Sequence, residues 1–400
     1  MDKKVIITGI GMVSSVGIGK EAFKNALFNG ISGIHRVSLF DASDLKSKLA
    51  GEIGNLDFNY YLDNQDLKYL SRATKLLLVA SKLALKDANI LVQNKSEMGI
   101  VIGTVFGSLS SAVQFVRVNR IEGPDCVSPM LFPDGLSNSP ASQLAIHYGI
   151  RGLNITLCSG FAASSDALGY ATHLIKERRA GVILVGGVEE LYQQMYQGFY
   201  NLRLLSGCQN GQEVCAPFDK RRNGMILGEG VAVLLLEDSE YARNRGANAV
   251  AEVIGYGSSF GNNLDMLKET MLMSMEDAHL KPEDIDYICA NANGSIRQDR
   301  LELEAIKKIF YSKKLFISSI KSIIGECYSA SGLLQCIAAC LSIQHNMIPP
   351  TVDFEEADLK LGLLNIQNVK VKRQVKVAMI NSFGCDGNNS CLIIKAYHNN

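Results

Sequence analysis

Short apolar runs rich in valine and isoleucine, bounded by glycine, recur along this chain with amphipathic stretches of helical period between them. Runs of that length, apolar throughout, fit strands covered on both faces, so the fold class is α/β with largely buried strands. Strands are expected over 5–8, 98–103, 181–186, 231–237, 287–290, 315–318 and 377–380. Helices are expected over 20–29, 71–87, 163–177, 262–278, 300–310 and 333–344, the first started by Gly17-Ile18-Gly19. At 400 residues the chain exceeds the ~250–300 that one core supports, so two packed halves or one large α/β domain are expected. A strand pair over 231–237 and 249–257, split by the basic turn Arg243-Asn244-Arg245-Gly246, places the midpoint near 245–260. The expected division is therefore 1–250 and 251–400. The halves look alike in element order, although no sequence repeat is visible. The eight prolines are scattered and no low-complexity linker occurs, which predicts halves packed directly together.

Forty basic and forty acidic residues cancel, with neither sign in a long block, so there is no electrostatic footprint for nucleic acid. A small molecule or a protein is the expected partner. The ten cysteines form no C-x-x-C pair and no metal-ligand spacing with the six histidines at 35, 147, 173, 279, 345 and 398. They read as reduced, mostly buried thiols in a cytoplasmic protein, and neither a metal nor a cofactor is expected. Cys327, Cys336 and Cys340 fall at helical intervals in an apolar segment and read as packing. The N-terminus lacks a signal h-region, and no run approaches the ~18–20 apolar residues of a membrane span.

Four segments carry chemical information. Residues 154–169 read N-I-T-L-C-S-G-F-A-A-S-S-D-A-L-G, a strand entering a helix through a small-residue turn with Phe161 at its tip. Residues 215–230 read C-A-P-F-D-K-R-R-N-G-M-I-L-G-E-G, residues 321–332 K-S-I-I-G-E-C-Y-S-A-S-G, and residues 381–389 N-S-F-G-C-D-G-N-N. With the opening V-I-I-T-G-I-G-M-V-S and the run A-G-V-I-L-V-G-G-V-E over 180–189, this series resembles the elongating β-ketoacyl-acyl-carrier-protein synthases of the thiolase superfamily over nearly the whole chain. The resemblance implies a thiolase-like fold, two duplicated halves forming a five-layered α-β-α-β-α sandwich. It also implies a dimer. On it, the nucleophile elbow belongs to 1–250 and the remaining active-site loops to 251–400.

Members of that family carry the acyl chain on a cysteine, and two histidines stabilise an enolate oxygen during decarboxylation. On an ungapped match the cysteine position is Phe161, supported by Asn154 and Thr156 on one side and Ala167-Leu168-Gly169 on the other. The first histidine, of H-G-T-x-T-x-x-x-D-x-x-E, is replaced by Asn291, with Asp299 and Glu302 at the family's intervals. The second, of K-S-x-x-G-H, is replaced by Glu326, while Lys321 and Gly325 are kept. An asparagine amide still donates one hydrogen bond, but a carboxylate repels a developing oxyanion unless protonated. Loss of one such donor costs about 10²–10³ in rate. In the glycine-rich gate loop Phe383 and Gly384 are retained, Cys385 replaces a phenylalanine, and Asp386 replaces a glycine whose freedom at positive φ lets the loop swing.

Cys158 is the alternative nucleophile, reached by a three-residue slip, against its reading as a buried, inert thiol before the elbow. Phe161 is expected to fill the space of an acylated cysteine, adding ~1.5–3 kcal/mol by burial. Lys321, Asp299 and Glu302 are expected to form a structural polar network, Lys321 pairing with one of those carboxylates or with Glu326. The Ser/Gly cluster at 159–165 lacks the lysine of a phosphate-binding loop. The altered site most resembles the non-catalytic chain-length factors, whose elbow run Q-A-G-G-L-D-A-L-G parallels F-A-A-S-S-D-A-L-G here. This implies a partner subunit of an active ketosynthase in a type II fatty-acid or polyketide system, with acyl carrier protein as a further partner. Two other readings stay open: a diverged condensing enzyme or acyltransferase using Cys158, and an acyl- or carrier-protein-binding homodimer without turnover.

Overall fold

The computed structural model describes residues 3–62, 67, 70–90, 98–209, 211–310, 315–358 and 365–397; His398 lies outside them. The strands that build the architecture are β1 (Val5–Ser14), β2 (Met98–Gly103), β3 (Asn154–Leu157), β4 (Val182–Glu189), β5 (Gly230–Asp238), β6 (Ala251–Phe260), β7 (Tyr287–Cys289), β8 (Phe316–Ser318), β9 (Val377–Phe383) and β10 (Asn388–Lys395). The helices that cover them are α1 (Lys20–Asn29), α2 (Arg72–Asp87), α3 (Leu109–Ile121), α4 (Ser139–Tyr148), α5 (Ala163–Lys176), α6 (Gln193–Asn201), α7 (Leu264–Asp277), α8 (Ile296–Ile309) and α9 (Ser331–His345).

Hydrogen bonding orders the strands β8-β7-β9-β10-β6-β1-β5-β4-β2-β3. In the first set the sequence from the centre outwards is β1, β5, β4, β2, β3, with β1/β5 and β5/β4 antiparallel and the outer pairs parallel. In the second it is β6, β10, β9, β7, β8, with the same alternation of sense. Each set thus runs first, fifth, fourth, second, third. The duplication that leaves no trace in residue identities is complete in topology. The sets join where β1 and β6 pair antiparallel, Val5 opposite Val253 and Ile7 opposite Ala251.

Side chains alternate along the strands and so divide the core into layers. On β5, Val231, Val233 and Leu235 face α2 and α4, whereas Ala232, Leu234 and Leu236 face α5 and α9. On β10, Leu392 and Ile394 face the same central helices, and Cys391 and Ile393 turn to α7 and α8. The result is helix, sheet, helix, sheet, helix, the five-layered thiolase-like arrangement the sequence implied.

The largest departure in element bounds is β1, which continues to Ser14 instead of stopping at Thr8. Gly9 and Gly11 are not its end. A Cβ on Gly11 would overlap the Ala80 carbonyl oxygen and one on Gly9 the Ala84 carbonyl oxygen, so α2 lies with its backbone directly on the strand. Helix α8 begins at Ile296, earlier than expected, because the Ser295 hydroxyl caps it by accepting from the Gln298 N–H. Cys327, Cys336 and Cys340 are fully buried, and the five described histidines are all exposed. Among the described residues no helix is long and apolar enough to cross a membrane.

Forcing α2 off β1 disturbs a core that has no slack. Gly11→Val is expected to lower the unfolding free energy by at least ~2 kcal/mol, read by urea denaturation, whereas Gly54→Ala, where an added Cβ meets open space, stays near wild type.

Candidate functional site

Strand β3 leads through Cys158 and Ser159 to Gly160, whose φ of 60° turns the chain into the 3-10 turn Gly160–Ala162 and then α5. The turn is held from below. A Cβ on Gly103 would overlap the Ala163 backbone, and one on Gly169 would overlap the Tyr256 ring, so small residues seat the elbow between the sheets. Phe161 is buried and its ring enters an aromatic cluster, with its centroid 5.5 Å from Tyr328 and 6.1 Å from Phe199. Phe199 and Tyr328 lie 5.2 Å apart, and Phe106 closes the group at 5.9 Å from Tyr328. Each such pair adds about 0.5–1.5 kcal/mol beyond its buried area.

Sequence reasoning missed Phe106, Phe199 and Tyr328. Tyr328 stands two residues after Glu326 in a quoted motif, but nothing in one sequence brings it to Phe161. Glu189, at the end of β4, was missed too. It is fully buried and accepts from Thr104 Oγ1 (3.0 Å), Ser329 Oγ (2.7 Å) and the Val105 and Phe106 N–H groups. It thereby ties together the two segments that carry Phe106 and Tyr328. Burial pushes its carboxyl up to about 7.

Asn291, Glu326 and Lys321 converge. Lys321 Nζ donates to Glu326 Oε2 and to Asn291 Oδ1, both at 2.8 Å, with Lys321 at 2% and Glu326 at 1% side-chain exposure. Of the partners considered for Lys321, Glu326 is the one it takes. Asn293 Nδ2 (2.7 Å) and Ser331 Oγ (2.7 Å) also donate to Glu326. Asn291 Nδ2 donates to the Phe383 carbonyl at 2.9 Å, so one of its two amide hydrogens is committed to the gate strand. Glu302 accepts from the Asn291 and Ala292 N–H groups and from Asn381 Nδ2, while Asp299 accepts from the Phe218, Asn293 and Gly294 N–H groups. Burial raises Glu302 to about 7 and Asp299 to about 6. These two carboxylates position the 291–294 loop, and Lys321 bonds neither of them among the described contacts.

The gate loop is the tight turn between β9 and β10. The Gly384 N–H donates to the Asn388 carbonyl at 2.8 Å, and the Gly387 N–H to the Gly384 carbonyl at 3.1 Å. Phe383 is buried, and Cys385 is half-buried with its thiol pushed up to about 12 by burial and by the Asp386 charge. The positive φ of this turn belongs to Gly387, at 92°. Asp386 keeps an ordinary backbone and sends its carboxylate to the elbow, where Oδ2 accepts from the Phe161 N–H at 3.2 Å.

Cys158 corrects a second expectation, since it is exposed and not buried. The chain leaves β3 before it reaches the central layer, and the side chain opens into a cavity of about 860 Å³ shared with Asp166, Tyr170, His173 and Tyr256. Desolvation nonetheless raises its thiol above the ordinary value, which disfavours the nucleophilic thiolate. The carboxylate nearby, Asp166, accepts from Ser159 Oγ and from Tyr256 OH (2.9 Å).

Two measurements follow from these charges. For Glu189, Glu302 and Asp299 the folded state holds a proton that the unfolded chain releases, so their contribution is complete below the ordinary carboxylate range and is lost as pH rises through about 6–7. The thermal midpoint is expected to fall between about pH 5 and pH 7.5. Lys321→Met leaves Glu326 buried without its cation and is expected to cost about 3–5 kcal/mol in urea denaturation, with Lys321→Met/Glu326→Leu recovering most of it.

The beta-ketoacyl synthase N-terminal domain matches residues 2–242 of this chain, and the C-terminal domain of the same family matches residues 250–355. A 3-oxoacyl-[acyl-carrier-protein] synthase 2 of Synechocystis is 31% identical, across 99% of this chain and 98% of that protein. The chloroplastic 3-oxoacyl-[acyl-carrier-protein] synthase I of Arabidopsis thaliana is 32% identical, across 99% and 87%. Among solved structures, the ishigamide ketosynthase/chain length factor superposes with a TM-score of 0.94 at 27% identity, all of both chains covered. A type II polyketide synthase acyl-carrier protein in complex with its ketosynthase gives 0.89 at 26%, again over both whole chains. With both halves matched in order, the chain belongs to the beta-ketoacyl synthase family.

Proposed function

We propose that this chain is a non-catalytic, chain-length-factor-type subunit that pairs with an active ketosynthase in a type II fatty-acid or polyketide synthase. The observation that carries this reading is the state of the three family positions. Phe161 has no nucleophile, and its ring is locked among aromatics. Glu326 holds Lys321 in a buried ion pair, and Asn291 is shared between Lys321 and the gate strand. A malonyl group losing carbon dioxide here would develop its negative charge beside a carboxylate, with neither family histidine to meet it. The likeness to a ketosynthase/chain length factor supports the same reading. The named sequence relatives are synthases, so family membership does not by itself separate partner from enzyme.

A partner needs a surface, and one is present. Strand β3 ends the sheet with its outer edge unpaired among the described strands. Helix α3 buries only Ser111 and exposes Val116 and Ile121, and the following segment exposes Met130, Phe132 and Leu136. Exposed apolar side chains in that number, together with an open strand edge, suit association with a second ketosynthase-fold chain. Acyl carrier protein completes the set of partners, as in the type II complex with its ketosynthase.

The test uses the full chain and an acyl-carrier protein charged with an acyl group, followed by intact mass and peptide mapping. No cysteine is expected to be acylated stoichiometrically, and co-expression with a ketosynthase carrying Cys-His-His is expected to yield a one-to-one complex. Stoichiometric acylation of Cys158, abolished by Cys158→Ser, would establish the diverged-enzyme reading instead. A stable homodimer that ignores the ketosynthase would point to the binding homodimer.

A further inference from the structure

The contact between Asp386 and the elbow does more than join two loops. Its Oδ2 accepts from the Phe161 N–H at 3.2 Å and its Oδ1 from the Asn388 N–H at 3.2 Å, so two backbone donors meet the carboxylate. The place is shaped for it. A Cβ on Gly160 would overlap Oδ2 and a Cβ on Gly384 would overlap Oδ1, so the group sits between two residues that lack side chains. Phe161 lies in the turn that leads directly into α5, whose aligned peptides favour negative charge at that end. A backbone N–H at the tip of a strand-to-helix elbow is the donor that acyl-transfer chemistry aims at a developing oxyanion.

We propose that Asp386 is a built-in occupant of the elbow's anion site, an autoinhibitory contact that closes the site to any oxyanion whatever residue stands at 161. The inference rests on the non-catalytic reading and deepens it, since the elbow N–H is then taken by the carboxylate of an exposed residue as well as deprived of a nucleophile beside it. Restoring the cysteine alone does not restore the site. A thiol at 161 would gain from the start of α5, but the adjacent carboxylate disfavours its thiolate. Removing the charge while keeping the shape releases it.

The experiment installs Phe161→Cys, alone and with Asp386→Asn, and follows alkylation by iodoacetamide against pH. Fragmentation of the 152–176 peptide reads residue 161 separately from the exposed Cys158, and Cys126 falls on another peptide. Asp386→Asn is expected to lower the apparent thiol pKa at 161 by about one unit, raising the thiolate fraction near neutral pH about tenfold and the alkylation rate about threefold. Rates within twofold of one another would overturn the proposal. Where Phe161→Cys fails to fold, Asp386→Ala in the otherwise unchanged chain serves, with amide hydrogen exchange at Phe161 as readout. Protection is expected to fall at least ~10-fold once the acceptor is gone, and unchanged protection would overturn the proposal. Neither readout involves acyl transfer by the unsubstituted chain, so the non-catalytic reading stands or falls separately.

Discussion

The central helical layer sets the terms for everything else. Helices α5 and α9 lie between two sheets, and from Ser331 to Ile343 every residue of α9 is buried. A helix covered on both sides has no polar face to spare, and it must approach its neighbours through small residues. Gly187 lies where a Cβ would come within 2.6 Å of Ser164 and 3.1 Å of Ala330. Such contacts fix where α5 and α9 begin, and the site is assembled from those two beginnings: the elbow at 160–163 and the 326–331 segment. Backbone placement at the site is therefore a by-product of core packing and is indifferent to the chemistry of the side chains.

That indifference lets one scaffold hold very different side chains at the site. Each substituted position has found a local partner: the ring at 161 its aromatic neighbours, the carboxylate at 326 a lysine, an asparagine and a serine, the amide at 291 a lysine and a carbonyl. A catalytic site keeps donors unsatisfied until the transition state forms. Here the Lys321 ammonium and one Asn291 amide hydrogen are already engaged, while the buried Tyr328 hydroxyl has no partner among the described residues.

Much of this was legible in the sequence, for reasons that can be named. The central strands are apolar on both faces and announce themselves, and the family positions 161, 291 and 326 follow from spacing along motifs with intact flanks. Other features were hidden because their cause is tertiary. Gly9 and Gly11 look like punctuation until α2 is laid across them. Cys158 looks buried because it follows an apolar strand, but β3 is the last strand of its sheet and leaves it open. Phe106, Phe199 and Tyr328 lie far apart along the chain, and Asp386 reaches the elbow across 225 residues. No periodicity reports such meetings. The repeat itself, absent from residue identities, survives only in strand order and sense.

The placement of β10 has a consequence for how the molecule comes into being. Residues 388–395 are the last strand in chain order, yet they lie inside the sheet, between β6 and β9. While the nascent polypeptide is still being threaded out of the ribosome, β6 and β9 each lack the neighbour that satisfies half their peptide groups. The first five strands, by contrast, are complete once residue 238 has emerged. Vectorial synthesis thus delivers five strands already paired with one another, still waiting for α9 to cover one face, and a trailing set with a gap at its middle, a template edge for stray strands until residues 388–395 pair.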